Sequence, residues 1–359
     1  MPAGAPIRVL VVEDSAVTRA LLAGIVSRAE GFELVGAVGD GEAALQAVAR
    51  LRPAVVTMDL HMPRLDGVEA TRRIMREVPT PIVVVTASSN VDGRSTFDAL
   101  ASGALSVVAR PVGPADARYE ERRQALLDEL RLMAGVRLVR RIDVPSRPPS
   151  RVVSQTSPPA PRAPVELIAV GASTGGPAAL HRLLGDLPRG FEPPILVVQH
   201  IAEGFVDGLV RWLQDAAPGP VVVPRDGDRV APRSVFIAPD GLHLRVEPAG
   251  RIRLRDDAPV DGHRPSATAL FRSVAEAYGP RGMGIILTGM GRDGADGLLA
   301  MRSRGALTLA QDEASCAVFG MPQAALEAGA AGHTVALDAM GRTVAALAAQ
   351  SRRQGVPDA

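Results

Sequence analysis

The chain has 359 residues, which predicts about two domains of ordinary size. Hydrophobic residues make up 47% of it and 40 basic residues nearly balance 39 acidic ones, so we expect globular domains without the positive field that binds nucleic acid. All of the Lys-plus-Arg total is arginine, and the absence of lysine excludes P-loop nucleoside triphosphatases, Schiff-base enzymes and serine–lysine hydrolases.

Neither a targeting signal nor a membrane span is predicted. Residues 1–6 lack a charged segment followed by an apolar core, and no apolar run approaches the roughly 18 residues that cross a bilayer. The single cysteine, Cys316, excludes an internal disulfide and suits a reducing compartment. We therefore expect a cytoplasmic protein with no membrane insertion.

The first 140 residues alternate apolar runs with helix-like segments. Strands are predicted at 7–12, 33–38, 54–58, 81–85 and 105–109, and helices at 16–28, 42–50, 68–77, 94–102 and 115–139. Such alternation predicts an α/β domain with a doubly wound parallel sheet, and Ser15 is placed to cap the first helix.

Acidic and hydroxyl side chains follow three of these strands. Glu13 and Asp14 follow the first strand, Asp59 the third and Thr86 the fourth. Ligands bind at the carboxyl ends of parallel strands, and three carboxylates there repel one another unless a cation lies among them. Any one acid could be a solvated helix cap, but the set favours a site for Mg²⁺, which prefers oxygen ligands.

Residues 7–139 resemble a response-regulator receiver domain. The matching positions are Glu13-Asp14, Asp59, Met62-Pro63, Asp66-Gly67, Thr86 and the cis-prone step Arg110-Pro111. The resemblance implies a flavodoxin-like fold with Asp59 as phosphoacceptor and with Thr86 and Arg110 as switch residues. It also implies Mg²⁺ bound by Glu13, Asp14, Asp59 and the backbone carbonyl of His61.

Two positions depart from the receiver pattern. Arg110 stands where receivers carry lysine, and Val107 stands where they usually carry an aromatic residue. Arginine keeps the charge and can pair with a phosphoryl group, but it holds its donors in a planar fork. Whether the switch operates normally is left open by these differences.

Residues 141–164 are rich in proline, serine and arginine and predict an extended linker, with a Pro-rich partner site as the alternative. A second domain is predicted at 165–351, followed by a tail at 352–359. Its strands are predicted at 166–170, 194–199, 220–223, 235–238, 243–247, 252–255, 282–288, 306–310 and 333–337, with helices at 178–184, 204–215, 266–278, 296–304, 322–327 and 338–351. We expect a Rossmann-like parallel sheet with a hairpin near Ala249-Gly250 on one edge.

Ser173 lies in the glycine-rich turn 171–176, between an apolar strand and a helix. The segment fits the Gly-x-Ser-x-Gly elbow of α/β-hydrolases, but here the serine follows the first strand of a small domain. By itself the turn is explained equally well by a nucleophile, an anion-binding loop or a helix cap.

His200 and Asp293 follow two other strands of this domain and are predicted on the same rim as Ser173. A serine, a histidine and an aspartate can form a catalytic triad there. Asp296 is the competing acid, better explained as first-turn charge in the next helix. Cys316 is better explained as a buried structural residue than as a nucleophile.

Five segments resemble the methylesterase domain of the CheB family, and they occur in the family's order. They are Gly-Ala-Ser-Thr-Gly-Gly-Pro, Val-Gln-His-Ile, His263-Arg264-Pro265-Ser266, Thr-Gly-Met-Gly-x-Asp-Gly, and 311–316 with 319–322. The resemblance implies Ser173 as nucleophile, His200 as base and Asp293 as orienting carboxylate. It implies that the backbone N–H groups of Thr174 and Met290 bind the oxyanion.

Together the two resemblances imply a phosphorylation-regulated protein-glutamate methylesterase, with chemoreceptors as substrates and a chemotaxis histidine kinase as phosphodonor. They also imply deamidation of receptor glutamines, and no cofactor for hydrolysis. Thr268, where the family often carries an acid, is expected to matter little. The alternative is a catalytically silent, phosphorylation-controlled adaptor or phosphate sink; a nucleic-acid-binding output is disfavoured by the net charge of +1.

Overall fold

The computed structural model describes residues 5–86, 93–136 and 163–354, and the chain forms two compact units that divide near residue 140. The predicted linker 141–164, apart from its last two residues, lies outside the described residues. So do the last residues of the predicted helix 115–139 and most of the predicted tail 352–359.

The first unit is a five-stranded parallel sheet in the order β2-β1-β3-β4-β5. This order is that of a flavodoxin-like doubly wound fold, as predicted. The elements are β1 Ile7–Val12, α1 Ala16–Arg28, β2 Phe32–Val38, α2 Gly41–Leu51, β3 Val55–Met58, α3 Gly67–Glu77, β4 Ile82–Thr86, α4 Gly93–Ala101, β5 Ser106–Ala109 and α5 Tyr119–Ala134. Helix α5 begins four residues later than predicted, after a turn in which the Asp116 side chain accepts a hydrogen bond from the Arg118 N–H at 2.7 Å.

Polar caps place the helices of this unit against the strand ends. Ser15 accepts a hydrogen bond from the Thr18 N–H at 3.4 Å, as its predicted capping role requires, and Asp66 accepts one from the Glu69 N–H at 2.8 Å. Gly67 follows this second cap, and a Cβ there would lie 2.0 Å from the carbonyl oxygen of Asp59. The missing side chain therefore lets α3 begin directly beside Asp59.

The second unit contains a seven-stranded parallel sheet in the order β14-β13-β12-β6-β7-β9-β8. Its elements are β6 Leu167–Ala172, α6 Gly176–Gly185, β7 Ile195–Gln199, α7 Val206–Gln214, β8 Val221–Val222, β9 Val235–Ile237, β10 His243–Glu247, β11 Arg251–Arg255, α8 Ala267–Tyr278, β12 Gly282–Ile286, α9 Ala295–Ser303, β13 Leu307–Gln311, α10 Met321–Glu327, β14 His333–Val335 and α11 Leu337–Gln354. The predicted α/β class with parallel sheets is confirmed.

The predicted hairpin is present but does not extend an edge of the large sheet. Strands β10 and β11 pair antiparallel as a separate two-stranded sheet. Leu244, Val246 and Ile252 on the hairpin are buried in the same hydrophobic cluster as Phe271 of α8. Burial of this apolar face against the helix, rather than backbone pairing with the large sheet, therefore fixes the position of the hairpin.

Strand β6 lies at the point where the strand order of the large sheet reverses. The chain proceeds from β6 to β7 on one side and later returns to place β12 on the other side of β6. The carboxyl ends of β12, β6 and β7 are therefore neighbours, and crevices at such reversal points are where open α/β sheets bind ligands.

Helix α11, with 18 residues, is the longest helix in the part of the chain that the structure describes. Neither it nor any other helix in that part is long and apolar enough to cross a membrane.

Candidate active site

Backbone pairing continues past the ends of the three central strands and fixes the loops that carry Ser173 and His200. The His200 N–H donates to the carbonyl oxygen of Ala172 at 2.9 Å, and the Ser173 N–H donates to that of Thr288 at 3.1 Å. Backbone hydrogen bonds alone therefore hold each loop in register with its neighbour.

His200 and Asp293 are brought into direct contact. Nε2 of His200 lies 2.9 Å from Oδ2 of Asp293, which is fully buried. An ionised carboxylate only accepts hydrogen bonds, so this contact assigns the ring proton to Nε2. Nδ1 is buried and has no hydrogen-bond partner among the described residues, so its lone pair is left available as a base.

The Asp293 carboxylate is held at the N-terminus of α8. Besides His200, it accepts hydrogen bonds from the Ser266 hydroxyl at 2.7 Å, the Ala267 N–H at 2.7 Å and the Thr268 N–H at 3.0 Å. Burial alone raises the pKa of Asp293, but hydrogen bonding and charge from His200, with the bonds from Ser266 and Thr268, outweigh it and hold that pKa well below its ordinary value. The acid therefore stays ionised at neutral pH.

Ser173 does not cap the helix that follows it. Helix α6 has Gly175 as its N-cap residue, at φ 75°, and no side chain makes a capping hydrogen bond there. A Cβ at Gly289 would lie 2.7 Å from the Cβ of Ser173, so the loop after β12 closely approaches the serine. Of the three explanations for the turn that carries Ser173, which are a nucleophile, an anion-binding loop and a helix cap, the helix cap is therefore excluded.

Gln199 ties the loop that carries Ser173 to the loop that carries His200. Its side-chain Nε2 donates to the carbonyl oxygens of Ser173 and His200, both at 2.8 Å. A Cβ at Gly176 would lie 2.0 Å from Oε1 of Gln199, so α6 begins directly against this amide. The sequence analysis predicts no role for Gln199. Its position, as a polar residue that ends an otherwise apolar strand next to His200, could have indicated one.

Thr288 makes a second tie on the other side of Ser173. Its hydroxyl lies 3.0 Å from the carbonyl oxygen of Thr174, and its N–H donates to Oε1 of Gln311 at 2.8 Å. The N–H groups of Thr174 and Met290 have no hydrogen-bond acceptor among residues 5–86, 93–136 and 163–354. Both predicted oxyanion donors are therefore free to bind a ligand.

Among the described residues, Asp296 and Cys316 make no hydrogen bond to Ser173, His200 or Asp293. Asp296 is in the first turn of α9 and pairs with Arg292 at 3.1 Å. Cys316 is buried, and burial, followed by the charge of Asp312, raises the pKa of its thiol to about 12. His263, to which the sequence assigns no role of its own, stacks on the ring of His200.

In the first unit, the predicted acidic residues converge. Carboxylate oxygens of Glu13, Asp14 and Asp59 lie within 4.8 Å of one another, and Nη1 of Arg110 lies 3.5 Å from Oε2 of Glu13. The carbonyl oxygen of Thr86 accepts a hydrogen bond from the Arg110 N–H at 2.8 Å, which places the two predicted switch residues on adjacent strand ends.

The electrostatics of this cluster fit a divalent cation. Burial, followed by the charge of Asp59, raises the pKa of Glu13 to about 7, although Arg110 opposes the shift. Burial also raises the pKa of Asp59, and its carboxylate accepts hydrogen bonds from the N–H groups of Leu60 and His61. Crowded carboxylates repel one another when all are ionised, and a bound Mg²⁺, which prefers oxygen ligands, relieves that repulsion. His61 lies two residues beyond Asp59 in the same loop.

The predicted cis bond at Arg110–Pro111 is wrong, because that bond is not cis. The cis bond among the described residues is Arg264–Pro265.

A unit with acidic residues at its strand ends, followed by one with a serine, a histidine and an aspartate there, defines a receiver domain joined to a hydrolase-type domain. Residues 9–119 match the response regulator receiver domain and residues 168–344 match the CheB methylesterase.

Whole-chain relatives agree with these matches. A protein-glutamate methylesterase/protein-glutamine glutaminase of Myxococcus xanthus is 47% identical over 332 residues, covering 92% of this chain and 94% of that protein. A protein of the same name from Geobacter metallireducens is 43% identical, covering 95% of this chain and 99% of that protein. The crystal structure of the Thermotoga maritima CheB methylesterase catalytic domain is 32% identical and covers 51% of this chain and 98% of that chain, with a TM-score of 0.49. The two family matches and the two whole-chain relatives show that the chain belongs to the CheB family of protein-glutamate methylesterases with a receiver domain, and both resemblances are confirmed.

Replacing Gln199 with leucine should slow the reaction of Ser173 with a fluorophosphonate probe by roughly 10- to 100-fold. The reason is that the carbonyl groups of Ser173 and His200 lose the shared donor that sets the distance between their loops. The second-order labelling rate is the measurement. Gln323→Leu is the matched control, because Gln323 pairs with Glu327 on an exposed helix face. Labelling of Gln199→Leu at the wild-type rate would show that the tie is dispensable.

Cys316 should resist alkylation in the folded protein. Its side chain is buried and its thiol pKa is raised to about 12, so almost no thiolate forms at pH 8. Mass spectrometry should find no iodoacetamide adduct at pH 8 without denaturant and one adduct in denaturant. Rapid native labelling would contradict a buried structural cysteine.

Proposed function

We propose that this chain is a protein-glutamate methylesterase and protein-glutamine glutaminase controlled by phosphorylation of its receiver domain. Its substrates are glutamyl methyl esters and certain glutamine side chains of chemoreceptors, and it acts in the cytoplasm. The observation that carries the proposal is the pairing of His200 Nε2 with buried Asp293, which leaves Nδ1 as a free base in a domain whose relatives carry this activity in their names.

In the acylation step, Nδ1 of His200 accepts the proton of the Ser173 hydroxyl while the serine oxygen attacks the ester carbonyl. The negative charge that develops on the carbonyl oxygen is stabilised by the N–H groups of Thr174 and Met290. One such donor is typically worth about 3–4 kcal/mol in the transition state. Asp293 stabilises the imidazolium that forms.

Breakdown of the tetrahedral intermediate returns the proton from His200 to the leaving methoxide, which departs as methanol. A water molecule then attacks the acyl-serine with His200 again as base, and glutamate and free Ser173 result. A glutamine side chain follows the same course with ammonia as the leaving group. The protein's own side chains supply every proton transfer in this scheme.

The receiver domain controls this activity through Asp59. In the proposal a chemotaxis histidine kinase donates a phosphoryl group to the Asp59 carboxylate, and Thr86 and Arg110 respond to it. Glu13, Asp14, Asp59 and the carbonyl oxygen of His61 would hold Mg²⁺, which when bound neutralises charge on the phosphoryl oxygens. The Arg110 guanidinium, already within 3.5 Å of Glu13, supplies positive charge at the same place.

A catalytically silent adaptor is the weaker candidate. A decayed enzyme has no need to retain a fully buried carboxylate with donors from His200, Ser266 and the α8 N-terminus. The intact hydrogen-bonded set therefore argues for catalysis.

Ser173→Ala should abolish methanol release from methylated receptor membranes, with a loss of roughly 10⁴- to 10⁶-fold, because no other group supplies the attacking oxygen. Ser303→Ala, at the exposed end of α9, should keep wild-type activity. Full activity in Ser173→Ala would refute the assignment of the nucleophile.

A small acyl phosphate with Mg²⁺ should raise the esterase activity of the wild type but not that of Asp59→Asn, because a carboxamide is not a nucleophile for the phosphoryl group. The measurement is methanol release with and without the phosphodonor. Asp128→Asn, on the exposed face of α5, should respond as the wild type does. Equal activation of Asp59→Asn and wild type would exclude control through this residue.

A further inference from the structure

His263 stacks face to face on His200. The ring centroids are 3.9 Å apart and the ring planes differ by 6°. The hydrogen bond to Asp293 fixes one atom of the His200 ring, but it permits the ring to tilt about the Nε2···Oδ2 axis. A parallel ring against one face opposes that tilt and so controls where Nδ1 points.

The stacked ring is carried by a turn that is tied down on both sides. His263 exchanges two backbone hydrogen bonds with Val260, at 3.0 and 3.1 Å, across Asp261 and Gly262, which both have positive φ. The Thr268 hydroxyl donates to the Asp261 carboxylate at 3.2 Å, which joins the turn to α8. His263 is therefore held on a short, closed turn rather than on a free loop.

The same segment also supplies the donors to the acid. Three residues after His263, Ser266 donates its hydroxyl to Asp293, and the N–H groups of Ala267 and Thr268 follow. One continuous stretch of chain thus both holds the Asp293 carboxylate and covers one face of the His200 ring that this carboxylate binds through Nε2.

The ring of His263 faces His200 as a neutral ring near pH 7. Burial, followed by the charge of His200, lowers the pKa of His263, while Asp293 and Asp261 oppose the shift. A neutral aromatic face can stabilise a neighbouring cation, which is what His200 becomes when it takes the serine proton.

We propose that His263 is a positioning residue for the esterase: its ring keeps the imidazole of His200 in the plane that directs Nδ1 to Ser173 and stabilises the imidazolium through its face. The proposal rests on the methylesterase function proposed above. It assigns His263 no contact with the substrate, so its effect falls on kcat rather than on KM.

The test compares His263→Phe, His263→Leu and His263→Ala in the full-length protein, with methanol release from methylated receptors as the assay. We expect Phe, which keeps a planar face, to retain kcat within about threefold. Leu and Ala, which remove the planar face, should lower kcat by roughly 10-fold or more with KM within about twofold. His333→Ala, outside the site at the start of β14, is the control and should leave both constants unchanged.

A second measurement separates positioning from general loss of structure and does not require activity. Nitrogen-15 spectra of the six histidines in the wild type should show His200 as a single Nε2–H tautomer. We expect both variants to keep the Nε2–H tautomer, which Asp293 fixes. Leu, unlike Phe, should broaden the His200 Nδ1 signal because the ring can tilt, while the other histidine signals stay in place.

Wild-type kcat in His263→Leu, or equal losses in Phe and Leu with an unchanged His200 signal, would overturn the proposal. A wild type without esterase activity would instead refute the proposed function, and the spectra would still decide whether His263 positions His200. If Ala does not fold, the comparison of Phe with Leu is sufficient.

Discussion

The buried carboxylate of Asp293 is the constraint on which the catalytic unit depends. A charge removed from water is costly unless hydrogen bonds replace its hydration. Here they come from His200, the Ser266 hydroxyl and the first N–H groups of α8. This requirement places the start of α8 at the rim of the sheet, brings the preceding turn against the histidine and selects the Nε2–H tautomer. The unpartnered lone pair at Nδ1 thus follows from burying the acid.

The central position of β6 supplies the second half of the geometry. Because β12 and β7 flank β6, the loops after all three strands meet, and their backbones stay paired one residue beyond the strands. Gln199 and Thr288 then fix the loop that carries Ser173 from its two sides through uncharged amide and hydroxyl groups. Neither of these two ties adds a charged group beside Ser173.

The features that depend on strand order were predictable from the sequence, and those that depend on the direction of single hydrogen bonds were not. Alternating apolar runs placed the strands, and the rule that ligands bind at carboxyl ends placed Ser173, His200 and Asp293 on one rim. No periodicity shows that the Gln199 amide turns back toward two carbonyls or that His263 lies over a second ring. The hairpin was found, but its separation from the large sheet depends on packing against α8, which is a tertiary property.

The order in which these groups occur along the chain has a consequence for the protein during its own synthesis. Ser173 leaves the ribosome first, His200 second, and the acid with its donors from α8 much later. Until β12 has paired with β6, His200 has no carboxylate to orient its ring. In the proposed mechanism, a nascent or truncated chain therefore lacks an oriented base, and esterase activity appears only when folding of the domain is complete.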